Sequence, residues 1–330
     1  MKNLLNQLYA RAPLSRADAY TTLKRIANGE AAEPEIAAVV SAINMRPPHL
    51  SEIQGFRDAM LELARPLPLD GRETIDIVGT GGDGKNTFNI STLSCVVVAG
   101  AGYPVTKHGS YGVSSNVGSS DVLQALGYTF TNDRDTLIGH LDRAGICFLH
   151  APLFHPAMKN VVPVRKSLRV RTFFNLLGPL INPARPRYQL FGTYDREVSR
   201  IYDYLLQGEE TRDYLIVHAL DGYDEISLTG GASVRGRRCQ AIYEPSDFGL
   251  PALQPADLYG GETAAEGKAI FLAVLDGEAT PAQTDVVCAN AGLAIRVIHP
   301  DRSLPDCVAE ARESLRSGAA RGVLRKLLDA

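Results

Sequence analysis

Cysteine is scarce in this chain, and none of it is arranged for metal binding or redox chemistry. There are five cysteines among 330 residues, an odd number, and no two of them are spaced as C-x-x-C. A disulfide framework or a zinc site is therefore not expected, and a reducing, cytoplasmic location fits this composition. Cys95 and Cys147 lie within apolar runs, so we expect both to be buried as small hydrophobic side chains.

The chain also lacks a long hydrophobic run and an excess of charge of either sign. No stretch of about 18 apolar residues occurs that could span a membrane, and the N-terminal segment has no apolar core of the kind found in signal peptides. Lys and Arg total 34 against 37 Asp and Glu, which gives a net charge of −3. We therefore expect neither a nucleic-acid nor a membrane partner, although the segment 235–238 contains three arginines.

The first 65 residues have the apolar spacing of helices. Hydrophobic residues make up 45% of the chain and charged residues 22%, which is typical of a globular protein with a substantial core. Ser15 begins one capping-box pattern and Ser51 begins another. Proline and glycine then interrupt the pattern across Pro66–Gly71. These features predict a small all-helical domain over residues 1–66.

Beyond residue 71, short strand-like segments alternate with helical ones. The predicted strands cover 74–78, 104–107, 146–150, 189–194 and 214–219, and the predicted helices cover 90–99, 121–126, 134–144, 156–168 and 197–208. Such alternation is typical of an α/β fold whose mostly parallel central sheet is flanked by helices. We therefore expect a larger α/β domain over residues 71–330, in which 223–245 form shorter strands and the chain from 265 onward is mainly helical.

A glycine-rich turn, Gly79-Thr-Gly-Gly-Asp-Gly84, follows the first predicted strand. Glycines let backbone N–H groups approach an anion closely, so this turn predicts a phosphate site. Two familiar motifs fit it incompletely. The dinucleotide fingerprint needs an acidic residue at the end of the next strand, where Lys107-His108 stand instead, and the Walker A motif needs Ser or Thr where the chain has Asn86.

A longer stretch fits a third interpretation. The run from Gly79 to Thr92, GTGGDGKNTFNIST, resembles the signature of the anthranilate phosphoribosyltransferases. The resemblance continues, in the family's order, through Lys107-His108-Gly109, Ser114-Ser115, Gly118 to Leu123, His155 to Asn160, Val164-Arg165, Arg171 to Pro183 and Asp224 to Ser227. The resemblance also implies that helices near 156–180 pack on the N-terminal helical domain.

The resemblance implies a site for phosphoribosyl pyrophosphate around the glycine turn. Glycines there would supply backbone N–H groups, polar side chains at the start of the next helix would contact phosphates, and a lysine would neutralise phosphate charge. The implied residues are Gly79, Gly82, Asp83, Thr87, Asn89, Ser91, Thr92, Lys107 and Ser119. Adjacent carboxylates suit Mg²⁺, and the resemblance implies two Mg²⁺ ions with Ser91, Asp224 and Glu225 as ligands.

The resemblance also implies a site for anthranilate. Arg165 is the candidate partner of its carboxylate, because guanidinium matches a carboxylate in bidentate geometry. His108 is expected to position the substrate, since an aromatic amine loses its proton readily after attack and needs no dedicated base. The implied residues are Gly79, His108, Gly109, Ser110, Arg165 and Gly178.

The activity implied by the resemblance is transfer of a phosphoribosyl group to the amine of anthranilate, with release of pyrophosphate, in tryptophan biosynthesis. A cytoplasmic homodimer is implied as well. Two alternatives stay open. A pyrimidine nucleoside phosphorylase would share the fold but lack the Asn-Ile-Ser-Thr and Arg-Thr-Phe-Phe-Asn blocks. A non-enzymatic, nucleic-acid-binding relative is disfavoured by the net charge and by retention of Asp224, Glu225 and Arg165.

Two positions depart from the family pattern. Ser110 stands where the family usually has Asn, so an amide that would lie near the amine and carboxylate of anthranilate is replaced by a hydroxyl. Arg169 stands where the family usually has Gly, and arginine would be strained there if the position needs a positive φ. Both changes bear on the acceptor site and leave the expected fold unchanged.

Overall fold

The structure is a computed structural model that describes residues 1–112 and 117–329. It divides into two compact units. Unit 1 comprises Met1–Leu67 with Ala151–Arg185, and unit 2 comprises Pro68–His150 with Pro186–Ala330. The five cysteines are all free, and Cys95 and Cys147 are buried as predicted. None of the helices in the described residues has the length and apolar character needed to span a bilayer.

The helices and strands follow one another in an order that begins all-helical and then alternates. In chain order they are α1 (Lys2–Tyr9), α2 (Arg16–Ala27), α3 (Glu33–Asn44), α4 (Leu50–Leu63), β1 (Ile75–Gly79), α5 (Ile90–Gly100), β2 (Val105–Gly109), α6 (Ser119–Ala125), α7 (Arg134–Ala144), β3 (Ile146–His150), α8 (Ala151–Phe154), α9 (Val162–Leu168), α10 (Phe174–Leu177), β4 (Tyr188–Gly192), α11 (Arg196–Gln207), β5 (Asp213–Ala219), β6 (Ala232–Gly236), β7 (Cys239–Tyr243), α12 (Ala264–Asp276), α13 (Pro281–Ile298), α14 (Leu304–Arg316) and α15 (Ala319–Leu328). Short 3₁₀ helices cover Pro156–Asn160, Gly178–Ile181, Pro245–Phe248 and Pro255–Leu258.

In unit 1, the segment Ala151–Arg185 packs on the N-terminal helices through side-chain hydrogen bonds and aromatic stacking. Asn160 donates from Nδ2 to the carbonyls of Ile26 and Ala27, 3.2 and 3.0 Å away, which satisfies the open C-terminal end of α2. Phe56 of α4 stacks on Phe173 with ring centroids 4.4 Å apart. Residues 151–185 therefore belong to the same hydrophobic unit as the first four helices.

Two details of unit 1 differ from the sequence-based prediction. The helix predicted over 156–168 is divided into a 3₁₀ turn and α9, because Pro163 in the first turn of α9 has no N–H to continue a preceding helix. The second capping box is also wrong. α4 begins at Leu50, with the Glu52 carboxylate accepting the N–H of His49 at 2.8 Å, while the Ser51 hydroxyl donates to the Leu14 carbonyl.

Unit 2 is built on a seven-stranded sheet in the order β3-β2-β1-β4-β5-β6-β7. The first five strands in this order are parallel, and β6 and β7 are antiparallel to their neighbours. α5 is mostly apolar and nearly every residue of it is buried, as expected of a helix enclosed by other elements. The predicted all-helical N-terminal region and mostly parallel α/β sheet are thus confirmed.

The sheet order places a topological switch point between β1 and β4. From β1 the chain winds outward to β2 and β3, then returns to the other side of β1 to form β4. The carboxyl ends of the two strands meet there, with Gly79 of β1 paired to Gly192 of β4. In open parallel sheets, ligands bind at the carboxyl ends of the strands beside such a point.

Candidate active site

The glycine turn lies at this switch point. Thr80 donates its N–H to the Gly192 carbonyl at 2.9 Å, which holds the start of the turn against β4. Gly81, Gly82 and Gly84 have φ of 61°, 75° and 74°. Side chains with a Cβ rarely adopt this left-handed conformation, so the three glycines are needed for the shape of the turn itself.

Gly79 and Gly192 are needed for a different reason, which is the approach of Asp224. A Cβ on Gly79 would lie 3.0 Å from the Asp224 Cγ and closer still to Oδ2, and a Cβ on Gly192 would overlap the Asp224 backbone carbonyl. Asp224 Oδ2 in turn accepts the N–H of Gly81 at 2.7 Å. The two glycines thus make room for a buried carboxylate directly against the turn.

The neighbouring carboxylate, Glu225, is held at the start of α5. Its Oε1 accepts both the backbone N–H and the hydroxyl of Ser91, at 3.0 and 2.6 Å. A carboxylate in this position interacts favourably with the positive end of the helix. The structure therefore brings together the three predicted metal ligands, and it does so through a direct contact between Ser91 and Glu225.

Three carboxyl groups at this site have raised pKa values. Burial is the main cause in each case, and the charge of a neighbouring carboxylate adds to it in two of them. Burial raises the pKa of Asp224, and the negative charge of Asp83 raises it further. Burial likewise raises the pKa of Glu225, with the charge of Asp224 as the next cause. Burial also raises the pKa of Asp83, whose Oδ1 accepts the Lys85 N–H at 3.0 Å. Such a cluster carries repulsion that a bound cation would remove.

The donor set fits Mg²⁺ held jointly by protein and substrate. Oxygen ligands are the ones that Mg²⁺ prefers, and it binds through one or two carboxylates plus phosphate oxygens and water. Within residues 1–112 and 117–329, no group of three or more His, Cys, Asp or Glu is arranged to hold a metal alone. Asp224 and Glu225 would therefore share the ion with an anionic ligand in the glycine turn.

The remaining predicted phosphate-site residues lie in or beside the first turn of α5. Asn89 is the N-cap residue of α5, but its Nδ2 donates to the Val117 carbonyl at 3.2 Å and does not cap the helix. Thr92 is buried within the same turn. Thr87 lies just before the helix and pairs with Tyr259 through an isolated β-bridge.

Lys107 is buried in β2 and crosses to the neighbouring strand. Its Nζ donates to the Ile77 carbonyl of β1 at 2.8 Å. That carbonyl lies two residues before Gly79, so the ammonium charge sits in the sheet close to the start of the glycine turn. The next residue, His108, is buried as well, and its backbone N–H donates to Asp76 Oδ1 at 3.3 Å.

A second loop follows β2 and is organised by Asp121, a residue that the sequence reasoning did not single out. Asp121 Oδ2 accepts the N–H groups of Gly112 and Gly118, each at 2.8 Å. The Ser119 hydroxyl donates to the Ser110 carbonyl at 3.2 Å. Ser114 and Ser115, which belong to the family resemblance, lie outside the described residues. The signal for Asp121 was the capping pattern at the start of α6.

Close packing between this loop and α6 depends on Gly109. A Cβ on Gly109 would lie 3.4 Å from the Ser119 Cβ and closer still to its hydroxyl oxygen. The Ser120 N–H donates to the Ser110 carbonyl at 3.1 Å, so the Ser110 backbone is held by two donors from α6. The structure thus places Gly109, Ser110 and Ser119 together.

Arg165 and Gly178 belong to unit 1, whereas the other predicted anthranilate residues belong to unit 2. Arg165 Nη2 donates to Asn175 Oδ1 at 3.2 Å, and its guanidinium lies over the Phe174 ring at 5.8 Å from the centroid. Burial lowers the pKa of Arg165. Gly178 begins a 3₁₀ helix, and no atom lies within 4 Å of where a Cβ would stand.

Among the ion pairs of the described residues, none neutralises Arg165. Asn175 also accepts the Thr172 N–H at 3.1 Å through the same Oδ1, so the side chain that orients Arg165 is itself fixed. Asn175 was part of the family block but was not assigned a role from the sequence. A positioned guanidinium without a protein carboxylate is suited to binding a carboxylate ligand.

The two incomplete motif interpretations also fail in the structure. In a P-loop the helix begins at the lysine that ends the glycine run. Here Lys85 is followed by four further residues before α5 begins at Ile90. For a dinucleotide fold, β2 would have to end in a carboxylate, and it ends at Gly109.

Comparisons with known proteins give the family of the chain. Residues 2–64 match the glycosyl transferase family helical bundle domain, and residues 71–321 match the a/b domain of the same family. An anthranilate phosphoribosyltransferase of Cytophaga hutchinsonii is 51% identical over 326 residues, which cover 99% of both chains.

Two solved structures extend the comparison to the whole fold. Anthranilate phosphoribosyltransferase from Thermus thermophilus superposes with a TM-score of 0.90 at 35% identity, covering 99% of each chain. The Saccharomyces cerevisiae enzyme in complex with PRPP and Mg superposes with a TM-score of 0.91 at 26% identity, covering 99% of this chain and 96% of its own. The chain therefore belongs to the anthranilate phosphoribosyltransferase family.

Proposed function

We propose that the chain transfers the phosphoribosyl group of phosphoribosyl pyrophosphate to the amine of anthranilate, giving N-(5-phosphoribosyl)anthranilate and pyrophosphate in tryptophan biosynthesis. The observation that carries the proposal is the Asp224 carboxylate packed against Gly79 and hydrogen-bonded by Gly81. A buried carboxylate beside two further acids and an anion-binding turn is stabilised when a cation joins it to an anionic ligand. A magnesium-bound pyrophosphate is such a ligand.

The pyrophosphate would lie along the glycine turn and the start of α5. Backbone N–H groups of the turn and the positive end of α5 favour negative charge there. Asp224, Glu225 and Ser91 would hold Mg²⁺, which when bound neutralises charge that develops on the leaving pyrophosphate. Lys107 adds fixed positive charge near the same turn. Gly82, Asp83, Thr87, Asn89, Thr92 and Ser119 complete the proposed donor site.

The reaction at ribose C1 requires positioning more than covalent chemistry by the protein. The bond from C1 to the pyrophosphate oxygen breaks, and its electron pair leaves with pyrophosphate. The amine nitrogen of anthranilate forms the new bond to C1 and then loses a proton to solvent. A transition state of this kind is favoured by holding the two reactants in line and by electrostatic stabilisation of the leaving group.

The acceptor would be oriented by its carboxylate. Arg165 is the proposed partner, because its guanidinium is fixed by Asn175 and by the Phe174 ring and has no carboxylate partner among the described residues. We propose Gly79, His108, Gly109, Ser110 and Gly178 as the other acceptor-site residues. His108 is assigned to positioning, since the proton of the amine is acidic once the C–N bond has formed.

Three finer points of the proposal concern stoichiometry and assembly. Two Mg²⁺ ions are proposed, because Asp224 faces the turn while Glu225 faces the start of α5. A homodimer is proposed through unit 1, whose exposed apolar side chains include Tyr9, Met45 and Val170. A cytoplasmic location stays a prediction from composition. Calorimetric titration with Mg²⁺ and light scattering of the purified chain test the first two.

The test of the function is a fluorescence assay. Anthranilate emission should fall when the enzyme is mixed with anthranilate, phosphoribosyl pyrophosphate and Mg²⁺, and the fall should require magnesium. An Asp224→Ala, Glu225→Ala double variant should show no fall, whereas Asp221→Ala, an exposed acid in the same loop, should behave as wild type. Persistence of a magnesium-dependent fall in the double variant would contradict the metal assignment. A folded wild-type chain that binds phosphoribosyl pyrophosphate without consuming anthranilate would contradict the acceptor.

A further inference from the structure

A second polar pocket lies in unit 2, between α11 and strands β5 and β6. It has a volume of about 210 Å³. We call it the α11 pocket, and its basic and hydroxyl-bearing lining consists of Arg196, Ser199, Arg200, His218, Ser233 and Arg235. It shares no residue with the glycine turn or with the Asp224–Glu225 pair.

The sequence brings these side chains together through two regular spacings. Arg196, Ser199 and Arg200 are three and four residues apart on α11, so they lie on one face of the helix. Ser233 and Arg235 are two apart on β6 and therefore point to the same face of the sheet. The register pairs Ser233 with His218 of β5, which places the strand residues side by side.

That sheet face is the one opposite the main core. The intervening strand residues, Val217 on β5 and Val234 on β6, belong to the hydrophobic cluster that includes α5 and α13. Because side chains alternate along a strand, His218 and Ser233 point away from this cluster. The α11 pocket thus lies on the other side of the sheet from the first turn of α5 and its Ser91–Glu225 contact.

The charge of the lining is not neutralised by the protein. In the described part of the chain, the side chains of Arg196, Arg200 and Arg235 form no ion pair or hydrogen bond, whereas those of arginines such as Arg72 and Arg312 do. The lining also contains a single acid, Glu197, so three guanidinium groups face one carboxylate. Guanidinium groups with this freedom favour oxyanion ligands.

A buried hydroxyl in the lining also has no partner. Ser199 is 2% exposed, and its Oγ makes no hydrogen bond within the described residues. Buried polar groups are normally hydrogen-bonded, so an orphaned hydroxyl at a pocket indicates a missing ligand group. The His218 ring is fixed nearby, with Nδ1 donating to the Thr193 carbonyl at 3.0 Å.

The ligand would be held by side chains, not by the end of the helix. The Asp195 carboxylate already accepts the N–H groups of Glu197 and Val198, at 2.7 and 3.4 Å, and so occupies the N-terminus of α11. What remains for a ligand is the set of guanidinium and hydroxyl groups below that cap. A tetrahedral oxyanion matches several converging donors of this kind.

We propose that the α11 pocket binds a small phosphate-bearing anion at a site separate from the magnesium and pyrophosphate site. Three arginines, two serines and a pocket of about 210 Å³ fit a phosphate group carried by a small molecule. The pocket is too small for a segment of nucleic acid, which needs an extended basic surface. The site would give the protein a way to sense a phosphorylated metabolite.

The test is calorimetric titration of the full chain with inorganic phosphate and with pyrophosphate, at constant ionic strength and without Mg²⁺. Arg235→Gln should weaken phosphate binding at the pocket at least about tenfold, because a charge-assisted contact is lost. The matched control is Arg238→Gln, the same change three residues away on an exposed side chain. An Arg200→Gln, Arg235→Gln double variant should lose the pocket's binding and keep its transferase activity.

Ser199→Ala provides a variant that should stay folded, since it removes a hydroxyl that has no partner in the described residues. Its melting temperature without phosphate should equal or exceed that of wild type, while the rise caused by phosphate should be smaller. Equal phosphate binding in wild type and the Arg200/Arg235 double variant would overturn the proposal. Equal weakening by Arg238→Gln, or loss of transferase activity together with phosphate binding, would overturn it as well.

Discussion

The Asp224 carboxylate occupies the space where a side chain at Gly79 would stand. A Cβ on Gly79 would lie 3.0 Å from the Asp224 Cγ and closer still to Oδ2. The pairing of Gly79 with Gly192 across β1 and β4 makes this space, and Gly81 fixes the carboxylate in it. The glycine turn and the acidic loop are therefore one structural unit, so a change in either should disturb both.

Gly79→Ala should displace Asp224 and uncouple the turn from the proposed metal site. We expect kcat/KM to fall at least about 100-fold, since small misplacements of reacting groups cost this much. Overpacking should lower the free energy of unfolding by about 1–3 kcal/mol. The control is Gly139→Ala on α7, where the nearest atom would lie 3.9 Å from the new Cβ. Wild-type kinetics for Gly79→Ala would refute the coupling.

Asp224→Asn should make the metal-free protein more stable and nearly inactive. Burial and the charge of Asp83 raise the pKa of Asp224 to about 7. The native state therefore keeps a proton that the unfolded chain loses above about pH 4, and wild-type stability falls as pH rises through this range. The asparagine amide does not titrate, so the variant does not lose stability in this way.

The expected gain in free energy of unfolding for Asp224→Asn is on the order of 1 kcal/mol or more near pH 8, and it should vanish near pH 4. Urea unfolding at the two pH values in the presence of a chelator measures it. Turnover with saturating Mg²⁺ should fall at least about 100-fold. If Asp224→Asn were less stable than wild type near pH 8, the charged Asp224 carboxylate would not destabilise the folded protein.

Arg169 is strained, and replacing it with glycine should stabilise unit 1. Arg169 is the C-cap residue of α9 and has φ 52° and ψ 29°, a left-handed conformation that costs a residue with a Cβ about 1–2 kcal/mol. Part of that gain is lost to the greater freedom of glycine in the unfolded chain, so we expect a net rise of about 1 kcal/mol in the free energy of unfolding. Arg169→Ala is the matched control, because it removes the same charge and keeps the strain. If the two variants changed the free energy of unfolding equally, the cause would be the lost arginine charge and not the backbone strain.

The fold was predictable wherever local pattern and tertiary packing agree. The helix over Arg134–Ala144 and the strand over Ile146–His150 were predicted with the bounds that the structure has. An acidic N-cap marks the start of the helix, and a left-handed glycine separates the helix from the strand. The start of α4 was not predictable. There the buried Glu52, paired with Arg46, replaces Ser51 as the group that fixes the helix start, and this pairing depends on tertiary contacts.

The sequence predicts which residues form the candidate site but not the contacts between them. The contact of Ser91 with Glu225 joins residues 134 positions apart, and that of Gly81 with Asp224 joins residues 143 apart. The local periodicity of the sequence does not predict contacts between residues so far apart. Asp121 was overlooked because its role is to accept backbone N–H groups from a loop, a function that many exposed acids at helix starts also perform.

Ser110→Asn should improve anthranilate binding without changing the loop. The Ser110 carbonyl already accepts the Ser120 N–H and the Ser119 hydroxyl, so its backbone is held independently of its side chain. Adding an amide donor should lower KM for anthranilate roughly two- to tenfold, the range that one net hydrogen bond allows. Ser110→Thr keeps a hydroxyl and should leave KM unchanged. A rise in KM for the Asn variant would indicate that the loop has adapted to serine.

His155 should make unit 1 sensitive to acid. It is 2% exposed, and burial lowers its pKa to about 4. Above about pH 6.5 both the folded and the unfolded histidine are neutral, so stability does not depend on this group. Between about pH 6.5 and 4 only the unfolded chain takes up the proton, which lowers the free energy of unfolding by up to about 3 kcal/mol.

His155→Gln removes that proton uptake and should flatten the acid limb of the stability profile. Urea unfolding of both proteins between about pH 7 and 4 measures the difference, which should shrink as the pH falls because only wild type loses stability through this group. The control is His49→Gln, which removes an exposed histidine. If the stability difference between wild type and His155→Gln stayed constant over this range, His155 would not be held neutral in the folded protein.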